Sequence, residues 1–317
     1  MDEAHWARWR WWMRAAVSGA ALGFLLFVVP IGELYTALAG VPGHVLLASV
    51  IVFVAGHLAA AFKWRLLQGS GSGLSTLTTL RAHFAGVVAN LWLPSVVGGD
   101  LVRTGVVLRS ANRPAVVAVA GIVDRAVDTV ALLLLAAVGL LIVGTPANDA
   151  RQLLILTASV LAVPGALAVI GYRYLNARKA DARVGPILEG FRLVLERPGV
   201  IGATLVISVV VQAAFVLVNV RLGRAVGVVA PVSVWLMAWP LAKLAALVPV
   251  SVGGIGVREV ALVALMRPFG DDPSAIMAAG LLWQAVFMGG GIFGWAVLSL
   301  AGRRAEPNRR PLESAAK

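Results

Sequence analysis

Cysteine is absent from the 317 residues, which excludes disulfides, thiolate metal sites and cysteine nucleophiles. Histidine is scarce. The four copies, at positions 5, 44, 57 and 83, have no carboxylate at metal-ligand spacing beside them, and the sequence calls for no metal or other cofactor. Charge is the third shortage: 13% of residues are charged against 60% hydrophobic, and mean hydropathy is +0.89, outside the range of water-soluble domains. Such a chain belongs in a membrane. It has no GxxxxGK[ST] run that would mark a nucleotide site.

The charge that is present has one predominant sign, with a formal net value of +12. The basic residues flank apolar runs instead of gathering on a soluble surface, so the expected partner is the bilayer and not nucleic acid. Six segments carry the roughly 20 mostly apolar residues needed to cross the hydrocarbon core: 15–32, 45–62, 129–147, 153–172, 200–220 and 274–300. Arg8, Arg10, Arg14, Lys63, Arg65, Arg81, Arg109, Arg113, the basic link 173–197 and the tail after residue 302 all fall on one side if both termini are cytoplasmic. This predicts a multi-pass protein of the bacterial cytoplasmic (inner) membrane. Trp6, Trp9, Trp11 and Trp12, interleaved with arginines, read as an interfacial anchor. The alternative, a secretory signal cleaved after "ALA" at 37–39, requires an apolar run shorter than the one present.

Two apolar regions remain, and each is interrupted by the same skeleton. "LPSVVGGDLVR" at 93–103 and "VPVSVGGIGVRE" at 248–259 both contain PxxxGGxxxR. Neither half of either region is long enough to span alone, so each reads as a re-entrant hairpin, about 76–109 and 232–267. Proline removes a backbone donor and the glycine pairs Gly98–Gly99 and Gly253–Gly254 permit positive φ, which predicts that the chain reverses there. Each half is then span, span, hairpin, span, in opposite orientations. The expected fold class is all-α integral membrane: six spanning helices plus two re-entrant helical hairpins arranged as an inverted-topology repeat. A single polytopic domain covers 1–317, with repeats at 14–150 and 151–302 and a basic cytoplasmic tail at 303–317. Paired broken helices of this kind point to a substrate site near the midplane.

The candidate site residues follow from that plan. A short helix is expected after each glycine pair, with Asp100 or Ile255 in its first turn and Arg103 or Arg258 close behind. Helix N-termini and arginine forks both favour phosphate. The bland reading is that Asp100 pairs with Arg103, and Arg258 with Glu259, so that the charges are tolerable; pairing and function can coexist. Asp124 and Asp128 share a helical face near the expected cytoplasmic entrance of the third span, beside Arg125, where either can meet an arginine of the first hairpin. Lys243 has no carboxylate near it in sequence and is either a buried cation awaiting an anion or a residue that snorkels. Asn90 binds a headgroup or links helices, Gln284 links helices, and the "GGG" at 289–291 reads as close helix packing. His57 and His83 read as satisfied interior or interfacial residues in preference to proton carriers.

In "NLWLPSVVGGDLVR" at 90–103, "DRAVD" at 124–128 and "PVSVGGIGVRE" at 249–259 the chain resembles the lysylphosphatidylglycerol synthase transmembrane family, the flippase-like membrane proteins. The resemblance covers essentially the whole chain. It implies a module like that of the multiple peptide resistance factors, which moves aminoacylated phosphatidylglycerol between leaflets; other members accompany pathways for lipid-linked sugars or hopanoids. It also implies that Asp100, Arg103, Arg258 and Glu259 are the positions to carry over. The 15 residues after position 302 are too few for a soluble aminoacyl transferase, so no synthase activity is expected.

The leading expectation is therefore a transporter of an anionic lipid or a lipid-linked sugar, with lipid-modifying enzymes as further partners and oligomeric state open. An intramembrane enzyme acting on lipid phosphates is the rival, with Ser95, Ser251, Asp100 and Asp124 the available groups, though no base-activated serine is recognisable by spacing. A scaffold for a membrane glycosyltransferase is the third reading.

Overall fold

The computed structural model describes residues 32, 35, 39–91, 96–144, 173, 184–247 and 256–302. Every regular element among them is helical. Among the described residues, four helices are long and apolar enough to cross a membrane: α1 (Gly43–Gln68), α4 (Pro114–Val143), α6 (Pro198–Ala225) and α9 (Pro273–Gly302). Local chemistry sets their ends. Pro114, Pro198 and Pro273 stand at the first helical positions of α4, α6 and α9, where a missing N–H costs nothing. Gly69 and Gly144 terminate α1 and α4 at φ +69° and +64°, a backbone conformation that side chains with a Cβ resist. Asp272 caps α9 by accepting from the Ala275 amide at 3.2 Å.

These helices contain the expected spans 45–62, 200–220 and 274–300, whereas the expected spans 15–32, apart from residue 32, and 153–172 lie outside the described residues, as do the N-terminal tryptophans and the tail at 303–317. One boundary needs correction. The third span was expected from residue 129, but α4 begins at Pro114. Asp124, Arg125 and Asp128 depress the local hydropathy, yet they sit within the helix because partners neutralise them there.

Two pairs of short helices fill the remaining regions: α2 (Thr76–Ala89) with α3 (Val96–Leu108), and α7 (Val232–Ala245) with α8 (Val257–Met266). The longest of these rises about 20 Å, less than the hydrocarbon core of about 30 Å. The members of each pair pack on one another. The first pair closes tightly because a Cβ on Gly99 would meet the Gly86 carbonyl and the Asn90 Oδ1, each at 2.4 Å.

That contact overturns the expected turn. Gly98 and Gly99 lie inside α3, neither has positive φ, and Asp100 is the fifth residue of the helix instead of part of its first turn. Helix α3 starts at Val96, so Gly99 serves close approach and not chain reversal. In the second pair the helix begins at Val257, and among the described residues of that run Gly256 uses positive φ, at +85°. Gly253, Gly254, Ser251, Pro94 and Ser95 lie outside the described residues.

Packing between the elements is reciprocal. Helix α4 lies on α7 and α9 lies on α2; α4 packs on α6 and α9 on α1; α3 packs on α4 and α8 on α9. Helices α1 and α6 meet each other. Gly139 lets α4 reach the α7 backbone, since a Cβ there would stand 2.4 Å from the Met237 nitrogen. In the "GGG" run, a Cβ on Gly290 would meet the Phe53 ring at 2.3 Å and one on Gly291 the Leu91 side chain at 2.4 Å, so the run serves helix packing as expected. A short helix outside this scheme, α5 (Gly185–Leu195), rests on α4.

Candidate functional site

A cavity of about 170 Å³ lies where α1, α2, α3, α4, α6, α7, α8 and α9 converge. Its lining is both charged and aromatic. Lys63, Arg103, Arg125, Lys243 and Arg258 reach it, together with Asp100, Asp124 and Asp128. Phe53, Phe215, Trp239, Trp283 and Phe287 also line it and form a contiguous cluster in which Phe215 and Trp239 lie 5.3 and 4.9 Å from Trp283, centroid to centroid. The sequence-derived candidates Asn90, Gly99, Asp100, Arg103, Asp124, Arg125, Lys243 and Arg258 therefore share one cavity, with Gly98 beside Gly99 in α3 and Glu259 held behind Arg258.

The charges form a ladder. Arg125 reaches Asp100 at 2.7 Å; Asp100 lies 3.2 Å from Nε of Arg103; Arg103 donates through Nη2 to Asp124 at 2.7 Å. Lys63 joins Asp124, at 3.0 Å, to Asp128. Ser208 on α6 accepts from Lys63 at 2.9 Å and donates to Asp128 at 2.8 Å. Ionised groups this deep survive only when paired and hydrogen-bonded, and this ladder meets that condition through α1, α3, α4 and α6. The Arg103 guanidinium also stacks over Trp64 at 4.8 Å.

On α8, Arg258 pairs with its neighbour Glu259, whose other oxygen accepts the Gly256 amide at 2.7 Å and so fixes the start of α8. Gln284 on α9 lies 3.5 Å from the same guanidinium and joins α9 to α8, in line with its expected linking role. The Asn90 Oδ1 accepts from the Gly99 amide at 2.8 Å, giving a partner to one of the free N–H groups at the start of α3. Lys243 differs from the other cations. Its ammonium donates to the amide oxygen of Gln212 at 2.8 Å and lies 5.5 Å from the Phe215 ring, and among the described residues no carboxylate comes within ion-pair distance of it.

A family model described as the lysylphosphatidylglycerol synthase TM region matches residues 11–291. The chain belongs to this family. A comparison with curated proteins finds no match. The three quoted segments fall inside the matched range, and in this member of the lysylphosphatidylglycerol synthase TM family two of them, 90–103 and 124–128, meet through the Arg103–Asp124 ion pair.

Sequence reasoning missed part of the family member's cavity. Lys63 stands beside Arg65 and reads as an orientation charge after a span, yet it is buried within α1. Phe53, His57, Ala60 and Lys63 recur at helical spacing on one face of α1, and Ser208 and Gln212 stand four apart on α6. That periodicity was the available signal. His57 and His83 also line the cavity, with Nδ1 of His57 3.1 Å from Nε2 of His83.

Proposed function

We propose that the chain moves an anionic lipid, or a lipid-linked sugar bearing phosphate, between leaflets. Its acidic headgroup enters the cavity while its apolar chains stay in the bilayer. The observation that carries this reading is Lys243, which lines a cavity of mixed charged and aromatic residues and is held by an amide where its neighbours are held by carboxylates. Burying a charge is costly unless an opposite charge meets it, so such a seat favours an anion. Arg103 and Arg258 hold matching places in the two PxxxGGxxxR runs and reach the same cavity. In this reading Asp100, Asp124 and Glu259 hold the arginines between substrate visits and yield them to phosphate oxygens, which fit the guanidinium fork.

The two short-helix pairs act as re-entrant hairpins of an inverted repeat, entering from opposite faces of a bacterial cytoplasmic membrane with both termini cytoplasmic. The reciprocal packing of α4 on α7 and α9 on α2 supports a two-fold relation between the halves, and the basic flanks of the spans support the opposite orientations. Motion of one half against the other would expose the cavity to each side in turn. Nothing in this cycle makes or breaks a covalent bond, so the proposal is a transporter and not an enzyme. Lipid-modifying enzymes are its expected functional partners.

The test is reconstitution into liposomes with leaflet-selective detection of anionic lipids, comparing the wild type with Arg103→Ala, Arg258→Ala and Lys243→Gln. Expected losses are tenfold or more for each variant that inserts normally, on the order of one charge-assisted contact of 1.5–3 kcal/mol. Wild-type rates in all three variants would sink the proposal. Appearance of a chemically altered lipid would favour the enzyme.

A further inference from the structure

We propose that the His57–His83 pair takes up a proton together with the anionic headgroup, so that headgroup movement is coupled to proton movement. This rests on the transport reading above and supplies its driving force. His57 on α1 and His83 on α2 both line the cavity, and their rings touch through a single N···N contact of 3.1 Å. Among the described residues neither ring is hydrogen-bonded to a carboxylate, and no group of residues there could hold a metal. His83 is 6% exposed, yet its Nδ1 is buried without a hydrogen-bond partner. An imidazole nitrogen left open beside a polar cavity is expensive as structure alone.

Proton counting shows what the pair can hold. Each neutral imidazole has one N–H, and at the shared contact one ring donates while the other accepts. One further proton makes one ring an imidazolium and leaves that hydrogen bond in place. A second further proton would set two N–H groups against each other and break it. The pair therefore has room for one proton, taken from water on one side of the cavity and returned to water on the other, with no other bond made or broken.

The surroundings link this proton to the anion. The charged groups acting on the pair are Lys63 from α1, Arg103 from α3, Asp128 from α4 and Lys243 from α7; α6 and α9 contribute the Phe215, Trp283 and Phe287 rings at this part of the cavity. Three of those four charges are positive. Phe215 connects the two sites, with its centroid 5.5 Å from the Lys243 ammonium and 5.9 Å from the His57 ring. An anion held at Lys243 thus stands about one ring away from a proton on His57. Each then favours binding of the other, and this coupling is reciprocal by thermodynamic necessity. A headgroup that travels with a proton also carries one negative charge fewer across the membrane.

The experiment uses the full chain in phosphatidylcholine vesicles doped with a fluorescent phosphatidylglycerol, with an entrapped pH dye and a pH difference of one unit imposed in either direction. In the wild type, dye response tracks lipid movement, and the gradient sustains an accumulation ratio of about tenfold between leaflets if one proton moves per headgroup. In His57→Gln and His83→Gln the ratio of rates under the two gradient directions falls to one and the dye response disappears. A wild type that moves the probe at the same rate in both gradients, without dye response, overturns the proton inference and leaves the transport reading intact. Unchanged gradient dependence in both variants also overturns it. A wild type that moves no anionic probe overturns both proposals. If a variant fails to insert, the wild-type response to gradient reversal decides alone.

Discussion

In the proposed reading, one side-chain atom at Lys243 separates a seat for an anion from a closed ion pair. Gln212 presents a neutral amide oxygen 2.8 Å from the ammonium. Gln212→Glu preserves shape and places a carboxylate at the same point, where it competes directly with any incoming anion. The variant should unfold at the same or a higher temperature in detergent and bind an anionic headgroup at least about tenfold more weakly. Fluorescence of Trp239 and Trp283 in the cavity wall reports the binding. If Gln212→Glu binds and moves anionic lipid as the wild type does, Lys243 is not the seat. Such residues were only partly legible in the sequence. Asp100, Arg103, Asp124, Arg258 and Glu259 stand out because an ionisable group in an apolar run demands a reason. Gln212 and Ser208 are neutral, and Lys63 is disguised by the neighbouring Arg65, so their roles emerge only when α1, α4, α6 and α7 come together.

At the scale of the element, the first PxxxGGxxxR run is a helix crossing. The expectation of a glycine turn came from the permissiveness of glycine alone, which does not distinguish a need for positive φ from a need for no Cβ. In α3 the second need governs: Gly99 lies against the Gly86 carbonyl, and Asn90 reaches back to its amide. Gly99→Ala should therefore separate α2 from α3 and cost about 1–3 kcal/mol, as overpacked sites do. Gly105 in the same helix is the internal control, since a Cβ there meets nothing within 4 Å and Ala is the better helix former by about 1 kcal/mol. Thermal unfolding of the two variants in one detergent measures the difference, and equal midpoints would remove the crossing as the reason for Gly99. Other boundaries were legible because proline and glycine punctuate them, as at Pro198, Pro273 and Gly69. The start of α4 was not, because hydropathy counts Asp124, Arg125 and Asp128 as fully charged and cannot see that Lys63, Arg103 and Asp100 offset them.

At the scale of the molecule, correspondence between the halves rests on more than two matching runs. Helices α2 and α7 are each 14 residues long and α4 and α9 each 30. Among the described residues, the packings of α4 on α7 and on α6 are returned by those of α9 on α2 and on α1, which is the behaviour of elements related by a two-fold axis. Packing alone leaves open whether that axis lies in the membrane plane, giving opposite orientations, or along the normal, giving parallel ones. The connections that lead into the two short-helix pairs distinguish these cases. Ser70 lies exposed between α1 and α2, and Val229 lies exposed between α6 and α7. In an inverted repeat they face opposite compartments; in a parallel repeat they face the same one. The chain contains no cysteine, so a single introduced thiol reports its own compartment without background. A membrane-impermeant maleimide should label Val229→Cys from outside the intact cytoplasmic membrane. It should reach Ser70→Cys, and Arg192→Cys on α5, only after that membrane is opened. Labelling of Ser70→Cys and Val229→Cys from one side would make the halves parallel, and Arg103 and Arg258 would then approach the cavity from the same face instead of meeting at mid-depth.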